Sequence, residues 1–321
     1  MKAVLYTKVG TPEESLRIAE TAKPSPKSNQ VLVRVKASAI TNMEYMRFGG
    51  LGPVLNLAIH ATGKPLGIEF AGVVEETGSR VASLQKGDAV YGLAKGFIGA
   101  WAEYVLADEK EVSPKPGSLS FEEAGALPTG GITALGAVLA ANIQPGQEVL
   151  VQGASGGVGH FAVQLAKAYG GIVTAVCSTR NVEMAKSMGA HHVVDYKKED
   201  IAAAGKTYDR IIAVNGYHPL SVYQKLLNKG GAYVLIGGTG KALSGMAAGP
   251  IRAIGSGKKF TSAAFPFQPK RQRLEELGRL ADDGKLRPFL DGVYAPDQVH
   301  EAIRYTLTQH PQGKVSIKME F

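Results

Sequence analysis

The chain has 321 residues, which is too many for one ordinary domain, so two domains are expected. Its composition, 45% hydrophobic and 20% charged, is globular and excludes a mainly disordered chain. The single cysteine, Cys177, excludes an internal disulfide and a zinc site built on several cysteines.

The net charge of +8 is spread along the chain without a basic run or a strip of interleaved arginine and aromatic residues. Nucleic-acid binding is therefore weakly supported, and an anionic substrate or cofactor fits the charge equally well. No apolar run approaches the ~20 residues of a membrane helix. Residues 1–10 resemble a first strand and lack the apolar segment of a signal peptide. We predict a soluble, intracellular protein of the cytoplasm.

Short β-patterns separated by turn residues fill roughly the first 120 positions. These patterns predict a small, mostly antiparallel β-domain. The candidate strands are Val4–Thr7, Val31–Ala39, Gly72–Thr77, Ala89–Tyr91 and Ala102–Leu106.

The pattern changes after Pro116, where Ser120 and Glu123 form a capping box that predicts a helix start. Apolar strands then alternate with helical stretches such as Val158–Tyr169 and Val182–Met188. This alternation predicts a doubly wound, six-stranded parallel sheet of the kind that binds dinucleotides. Its strands are Glu148–Gln152, Ile172–Cys177, His192–Asp195, Arg210–Val214, Ala232–Ile236 and Lys259–Ala264.

The C-terminal segment contains two amphipathic helices, Arg271–Asp282 and Gln298–Thr306, and a final strand, Lys314–Lys318. We expect this segment to rejoin the β-domain, which makes that domain discontinuous. The predicted domains are 1–122 with 267–321, and 123–266.

A glycine-rich turn lies between the strand Glu148–Gln152 and the helix that follows it. We expect residue 154 to make the tight turn, Gly156 to admit a pyrophosphate, and Gly159 to let the helix pack closely. The N–H groups at the helix start would then face an anion. The predicted cofactor contacts in this turn are Ala154, Ser155, Gly156, Gly157, Val158 and Gly159.

The end of the next strand predicts NADPH as the dinucleotide. An NAD site usually presents a carboxylate there, but this strand ends in Ser178, Thr179 and Arg180. The two hydroxyls can donate hydrogen bonds and Arg180 can pair with a 2′-phosphate. The alternative is that Arg180 simply begins the next helix on a solvated face.

Several motifs in the same order resemble the zinc-free quinone oxidoreductase branch of the medium-chain dehydrogenase/reductase superfamily. The stretch 176–196 is especially similar to the chloroplast-envelope type. The resemblance covers essentially the whole chain and implies a GroES-like β-domain, a Rossmann domain, NADPH and a homodimer formed through sheet edges, for which Lys259–Ala264 is a candidate. The motifs that carry it lie at Leu66–Val74, Lys86–Val90, Leu127–Leu135, Gly153–Gly159 and Gly313–Val315.

The resemblance also implies further cofactor contacts at Tyr196, Asn215, Gly237, Gly238 and Lys314. Tyr196 matches a tyrosine that closes on the adenosine phosphate. Asn215 and the glycine pair follow the fourth and fifth strands, at the edge where cofactors bind. The simpler alternatives are a surface aromatic for Tyr196 and a solvated strand charge for Lys314.

The resemblance places Thr133 beside the nicotinamide and Asn42 where zinc-dependent relatives have a cysteine ligand. Thr133 could instead be a helix-start residue, and Asn42 a turn residue. The family often has an aspartate three residues after this asparagine, in the pattern Asn-Pro-x-Asp. Here that acid is replaced by Tyr45 or shifted to Glu44, which offers a phenol near the expected nicotinamide.

No metal site is predicted, because the histidines do not follow a ligand spacing and the one thiol lies in the cofactor domain. Hydride transfer to an electron-poor quinone or to the β-carbon of an enone needs no Lewis acid, so we predict such an oxidoreductase, with Asn42, Tyr45 and Thr133 as catalytic candidates. The pocket walls could be Gly49–His60 and Phe265–Phe267, or both could be ordinary core. The alternatives are an NADPH-binding protein with little turnover and a basic protein that contacts RNA or a membrane.

Overall fold

The computed structural model describes residues 1–48, 62–203, 205–237, 257–262 and 270–321, without the side chain of Tyr45. The candidate pocket walls 49–60 and 265–267, the residue Gly238, and the end of the predicted strand at 263–264 lie outside these residues. The chain divides into two compact units, Met1–Ile132 with Pro269–Phe321, and Thr133–Gln268.

The first unit is built mainly from short strands. Its N-terminal part contains β1 (Lys2–Tyr6), α1 (Pro12–Ser15), β2 (Leu16–Glu20), β3 (Gln30–Ala39), α2 (Asn42–Phe48), β4 (Lys64–Pro65), β5 (Glu69–Thr77), β6 (Ala89–Leu93), β7 (Tyr104–Asp108), β8 (Val112–Pro114) and α3 (Phe121–Ala126), followed by α4 (Pro128–Ala141), which crosses into the second unit.

The second unit alternates strands and helices. It contains β9 (Glu148–Gln152), α5 (Gly159–Ala168), β10 (Ile172–Cys177), α6 (Val182–Ser187), β11 (His192–Asp195), β12 (Tyr208–Val214), α7 (Leu220–Leu226), β13 (Leu227–Ile236) and β14 (Lys259–Ser262). The chain then returns to the first unit with α8 (Lys270–Asp282), β15 (Leu290–Tyr294), α9 (Val299–Gln309) and β16 (Lys314–Lys318).

Two sheets organise the first unit. The smaller one has the order β2-β1-β4 and is antiparallel. The larger one has the order β15-β16-β3-β5-β6-β8, and β7 also pairs with β3. Its pairs are antiparallel apart from β15 with β16. The predicted, mostly antiparallel β-domain is confirmed.

The C-terminal segment joins this unit through backbone pairing and side chains. Ser316 of β16 is in register with Ala39 of β3, and the hydroxyl of Tyr91 donates to the carbonyl of Leu274 in α8. The buried core includes Tyr6, Phe70, Trp101 and Ile303, so residues from both ends of the chain share it. The β-domain is therefore discontinuous.

Helix α3 belongs to the first unit, because it packs on β3, β5 and β16. Its N-cap is Ser120, whose hydroxyl accepts from the N–H of Glu123 in the predicted capping box. The division between the units falls after Ile132, ten residues beyond the boundary expected after Glu122.

The second unit has one parallel sheet with the order β11-β10-β9-β12-β13-β14, which confirms the predicted six-stranded doubly wound fold. The sequence order reverses at β9, which pairs with β10 on one side and β12 on the other. Ligands of such sheets bind at this reversal, beyond the carboxyl ends of the strands. The glycine-rich turn follows β9 and so begins at this point.

Several strands start or end differently from the predictions. β5 and β13 begin three and five residues earlier than expected, β12 two residues earlier and β3 one residue earlier, while β6 ends two residues later. The bounds of β1 and β7 are shifted at both ends. β1 covers Lys2–Tyr6, not Val4–Thr7, and β7 covers Tyr104–Asp108, not Ala102–Leu106. Ala102 makes only an isolated bridge to Ala3, while the β7 ladder with β3 starts at Tyr104. Apolar composition alone did not reveal which partner each residue takes.

Candidate functional site

The glycine-rich turn begins with Gly153, which has a φ of 72°. A Cβ at this position would lie 2.9 Å from the carbonyl oxygen of Val214. Gly153 therefore makes the tight turn, which corrects the expectation that residue 154 does so. Ala154 is buried, and its N–H donates to the carbonyl of Val176 at 3.1 Å.

The turn closes tightly on the start of α5 but stays open at its tip. A Cβ at Gly159 would lie 1.9 Å from the carbonyl oxygen of Gly153, so only glycine fits there. At Gly156 the nearest atom of the described residues, apart from its two neighbours in the chain, would be 3.7 Å away, an ordinary contact distance. Ser155, Gly157 and Val158 are half-buried around this tip. The backbone at Gly156 thus leaves space that an anionic group can approach, next to the N-terminus of α5.

The residues after β10 form a polar cluster. Thr179 donates from its hydroxyl to Asp195 Oδ2 at 2.7 Å. The hydroxyl hydrogen of Thr179 is therefore directed at Asp195 in this structure, and a contact of Thr179 with the cofactor stays a prediction. Asp195 lies beside Cys177 in the register of β10 and β11, so the neighbouring strand supplies a carboxylate that β10 lacks.

Asp195 forms a further hydrogen bond and an ion pair with the residues that follow it. Its Oδ1 accepts from the N–H of Lys197 at 3.0 Å, and the ammonium of Lys198 lies 3.7 Å from Oδ2. Burial favours the neutral acid, but the hydrogen bonds from Thr179 and Lys197 and the charge of Lys198 together lower the pKa of Asp195. The carboxylate is therefore ionised and held by groups of the chain itself.

Ser178 is half-buried and Arg180 is exposed at the end of β10. Arg180 Nε donates to Asn181 Oδ1 at 3.4 Å. The amide of Asn181 in turn donates to Ser178 Oγ at 3.2 Å and to Ser155 Oγ at 2.7 Å. Sequence reasoning missed Asn181 and Asp195, because the partners of both become visible only when the turn and the strands are assembled.

Three other predicted cofactor contacts lie at the carboxyl ends of the strands of this sheet. Tyr196 follows β11 and is 52% exposed, and its N–H donates to the carbonyl of Cys177. Asn215 follows β12 with a φ of 65°, and a Cβ at Gly237 would lie 3.2 Å from Asn215 Oδ1. The sheet therefore brings Asn215 and Gly237 together, at the same end as the glycine-rich turn.

Lys314 is buried within the first unit, which corrects the alternative of a solvated strand charge. Its ammonium donates to Glu69 Oε1 at 2.7 Å and to the carbonyl of Ile40 at 3.0 Å. Glu69 is fully buried, and its Oε2 accepts from the N–H of Thr129 at 2.7 Å. The ion pair thus joins β16, β5, the end of β3 and the start of α4. A contact of Lys314 with the cofactor stays a prediction.

Asn42 is the exposed first residue of α2, and a buried acid lies two residues after it. Glu44 accepts hydrogen bonds from both the N–H and the hydroxyl of Thr41. Burial raises the pKa of Glu44, and the charge of Glu69 raises it further. Whether Glu44 takes the place of the family's aspartate stays a prediction. Thr133 is half-buried in α4, and the catalytic roles of Asn42, Tyr45 and Thr133 stay predictions.

Cys177 is buried, and burial together with the charge of Asp195 raises its pKa to about 11. Within the described ranges, no three or more His, Cys, Asp or Glu residues form a group that could hold a metal ion. The helices described here include none with the length and apolar character needed to cross a membrane.

Comparisons with known proteins agree with this architecture. A model described as "Alcohol dehydrogenase GroES-like domain" matches residues 27–117, and one described as "Zinc-binding dehydrogenase" matches residues 188–317. The chloroplast envelope quinone oxidoreductase homolog of Arabidopsis thaliana is 32% identical over 333 residues, covering 99% of this chain and 98% of that protein. The chain belongs to the medium-chain dehydrogenase/reductase superfamily.

Other members of this superfamily are similar over nearly the whole chain. The NADPH-dependent alkenal/one oxidoreductase of A. thaliana chloroplasts is 31% identical, covering 99% of this chain and 79% of that protein. An NAD-dependent alcohol dehydrogenase of Saccharolobus solfataricus is 33% identical, covering 94% of this chain and 95% of that protein. The structure of the quinone oxidoreductase from Coxiella burnetii has a TM-score of 0.86 at 30% identity, with 99% of each chain covered.

The chain is therefore an oxidoreductase of a superfamily that binds a nicotinamide cofactor. The predicted family and the combination of a GroES-like domain with a Rossmann-type sheet are confirmed. The glycine-rich turn fits such a cofactor, since it leaves open backbone at Gly156 beside the start of α5.

Proposed function

We propose that this oxidoreductase uses NADPH to transfer hydride to an electron-poor acceptor, either a quinone or an α,β-unsaturated carbonyl compound. The observation that carries the proposal is the glycine-rich turn, with open backbone at Gly156 and with Ser178 and Arg180 at the end of the adjacent strand. The names of the relatives support both acceptor classes.

The choice of NADPH rests on charge at the end of β10. Arg180 is an exposed cation there, and the hydroxyl of Ser178 receives a hydrogen bond from Asn181. Asp195 is the nearby carboxylate, but its oxygens already accept from Thr179 and Lys197. A 2′-phosphate would thus meet donors and a guanidinium, whereas the 2′-hydroxyl of NADH would lack the usual carboxylate acceptor.

The cofactor supplies the hydride, and the chain supplies binding and orientation. The N–H groups at the start of α5 would hold the pyrophosphate, and Tyr196, Asn215 and Gly237 would contact the cofactor at the strand ends. Asn42 and Tyr45 would donate hydrogen bonds to the acceptor oxygen, on which the reduction places negative charge. Tyr45 or solvent would supply the proton.

A conjugated acceptor also suits the available side chains. An unactivated alcohol needs a Lewis acid, whereas the chain has one cysteine, which lies buried in β10. A quinone or enone is already electron-poor, so positioning and exclusion of water suffice. We therefore infer that the reaction proceeds without a catalytic zinc ion.

The test is oxidation of NADPH and of NADH by a panel of quinones, enals and enones, followed by the nicotinamide absorbance. We expect acceptor-dependent oxidation that prefers NADPH. The variants S178A and R180A should raise KM for NADPH by about tenfold or more, the size expected from losing a hydrogen bond to a charged group, with little change for NADH.

A matched control is K186A, which removes an exposed charge that pairs with Glu183 in α6. It should leave both KM values unchanged. Equal effects of S178A and R180A on the two cofactors would refute NADPH selectivity. If no acceptor in the panel is reduced, the chain would be a cofactor-binding protein without reductase activity.

A further inference from the structure

Asn181 connects the glycine-rich turn to the end of β10. Its side chain is 6% exposed, and its Nδ2 donates to Ser155 Oγ at 2.7 Å and to Ser178 Oγ at 3.2 Å. Ser155 lies in the turn, whereas Ser178 directly follows β10. One buried amide therefore contacts hydroxyls of two separate segments.

The orientation of this amide is fixed by chemistry. The guanidinium of Arg180 can only donate hydrogen bonds. The atom of Asn181 that lies 3.4 Å from Arg180 Nε is therefore the amide oxygen, which accepts. The amide nitrogen then faces the two serines. Asn181 also occupies the N-cap position of α6, a common place for asparagine, but its side chain makes no capping bond to that helix.

This orientation decides what the two serine hydroxyls can do. Each Oγ accepts a hydrogen bond from the amide, so the hydroxyl hydrogen remains available to donate elsewhere. Neither Ser155 nor Ser178 donates from its hydroxyl to an acceptor in the part of the chain that the structure describes. Thr179 shows the opposite arrangement, because its hydroxyl already donates to Asp195.

We propose that Asn181 is a positioning residue that keeps Ser155 and Ser178 as hydrogen-bond donors to two phosphate groups of the cofactor. Ser155 donates to the pyrophosphate, which NADPH and NADH share, and Ser178 donates to the 2′-phosphate, which only NADPH carries. This assignment rests on the proposed function, since it takes NADPH as the ligand. It makes Asn181 a determinant of cofactor selectivity that acts through other residues.

The experiment measures dissociation constants for NADPH and NADH by calorimetry in the full chain. N181D keeps the size of the side chain but replaces the donor with an acceptor, so both serine hydrogens turn toward it. In the natural chain, S155A should weaken the binding of both cofactors by about tenfold and S178A should weaken the binding of NADPH alone by about tenfold, the size expected from losing a hydrogen bond to a charged group.

In the N181D background, each of these serine changes should cost less than about twofold, because the hydroxyls no longer donate to the ligand. The charge that N181D introduces weakens cofactor binding equally with and without the serine change. Each serine effect is measured relative to N181D alone, so this double-mutant cycle removes the contribution of the charge. N181A removes the donor without adding charge or an acceptor, so the serine hydroxyls lose the group that orients them but can still donate to the ligand. The serine effects in this background should lie between those in the natural chain and those in N181D, and N181A is used alone if N181D does not fold.

The outcomes separate the two proposals. Serine effects that are unchanged in both Asn181 backgrounds would overturn the role of Asn181 while leaving NADPH binding intact, as would a loss of thermal stability with unchanged cofactor selectivity. If the natural chain binds neither cofactor, the proposed function fails and this inference fails with it.

Discussion

Two polar clusters of this molecule differ in how their hydrogen bonds are used. The phosphate-facing cluster of the second unit comprises Ser155, Ser178, Arg180 and Asn181. Both serine hydroxyls accept a hydrogen bond from Asn181, so their hydrogens are available to donate to a ligand. The buried charge cluster of the first unit comprises Thr41, Glu44, Glu69 and Lys314, which bond to one another and to the backbone.

This difference separates binding groups from scaffold. A buried charge is costly unless it is paired, so removing either member of the ion pair in the buried charge cluster destabilises the folded chain. Half-exposed hydroxyls with an available hydrogen cost little in water and gain a partner when an anion arrives. The comparison predicts stability effects for the first cluster and affinity effects for the second.

The largest effect is expected from breaking the buried ion pair with K314M. The variant leaves the carboxylate of Glu69, which is fully buried, without its ammonium partner. Removing one member of a buried pair typically costs about 3–5 kcal/mol in the free energy of unfolding. Denaturant unfolding, followed by a probe in the first unit, measures this loss.

The matched control is K318M in the same strand, β16. Lys318 is exposed and pairs with Glu320 at 3.0 Å, and surface pairs contribute little to stability. Comparable losses of unfolding free energy in K314M and K318M would show that the buried ion pair of Lys314 contributes no more to stability than a surface pair. The buried charge cluster would then not be a stabilising part of the fold.

The second prediction compares two glycines of the glycine-rich turn. In G159A the new Cβ would lie 1.9 Å from the carbonyl oxygen of Gly153, so the turn and α5 must move apart. We expect a loss of about 1–3 kcal/mol in stability, the usual cost of overpacking, together with weaker NADPH binding. Thermal unfolding and calorimetric titration measure the two effects.

G156A is the control, since the nearest atom to its Cβ, among the described residues other than its two chain neighbours, would be 3.7 Å away. Its melting temperature should stay near that of the natural chain, while NADPH affinity should fall by about tenfold if the pyrophosphate approaches this backbone. Unchanged affinity in G156A would remove the argument that the open tip of the turn is a phosphate site.

Local patterns were enough to predict the parallel sheet and the position of the glycine-rich turn. Strands buried on both faces read as short apolar runs, and glycines between a strand and a helix are a contiguous signal. The exact turn residue was wrong by one position, because Gly153 and Ala154 are both small and only the backbone φ in the folded chain tells them apart.

Side chains whose partners are distant in sequence could not be predicted. Lys314 and Glu69 are 245 positions apart, so nothing near Lys314 indicates that it is buried. Asn181 stands before a helix and resembles an ordinary cap, whereas its amide bonds to Ser155, 26 positions away. The same limit applies to Asp195, which reaches Thr179 only because β11 lies beside β10.

The smallest effect concerns the pH dependence of the buried charge cluster. Burial, and then the charge of Glu69, raise the pKa of Glu44, although Thr41 donates two hydrogen bonds to its carboxylate and Arg47 is also nearby. The folded chain thus holds this proton more tightly than the unfolded chain does. Its contribution to stability is complete below the ordinary glutamate pKa and is lost as pH rises through the raised pKa.

The variant E44Q cannot ionise, so its stability relative to the natural chain should increase as pH rises from the ordinary glutamate range toward neutral. Each tenfold difference in proton affinity between the folded and unfolded chain contributes about 1.4 kcal/mol. Melting temperatures of both proteins across this range measure the change, and E20Q, at an exposed position of β2, serves as the control. A difference that does not vary with pH would mean that Glu44 ionises alike in both states, and the cluster would then lack the buried acid that distinguishes it from the phosphate-facing cluster.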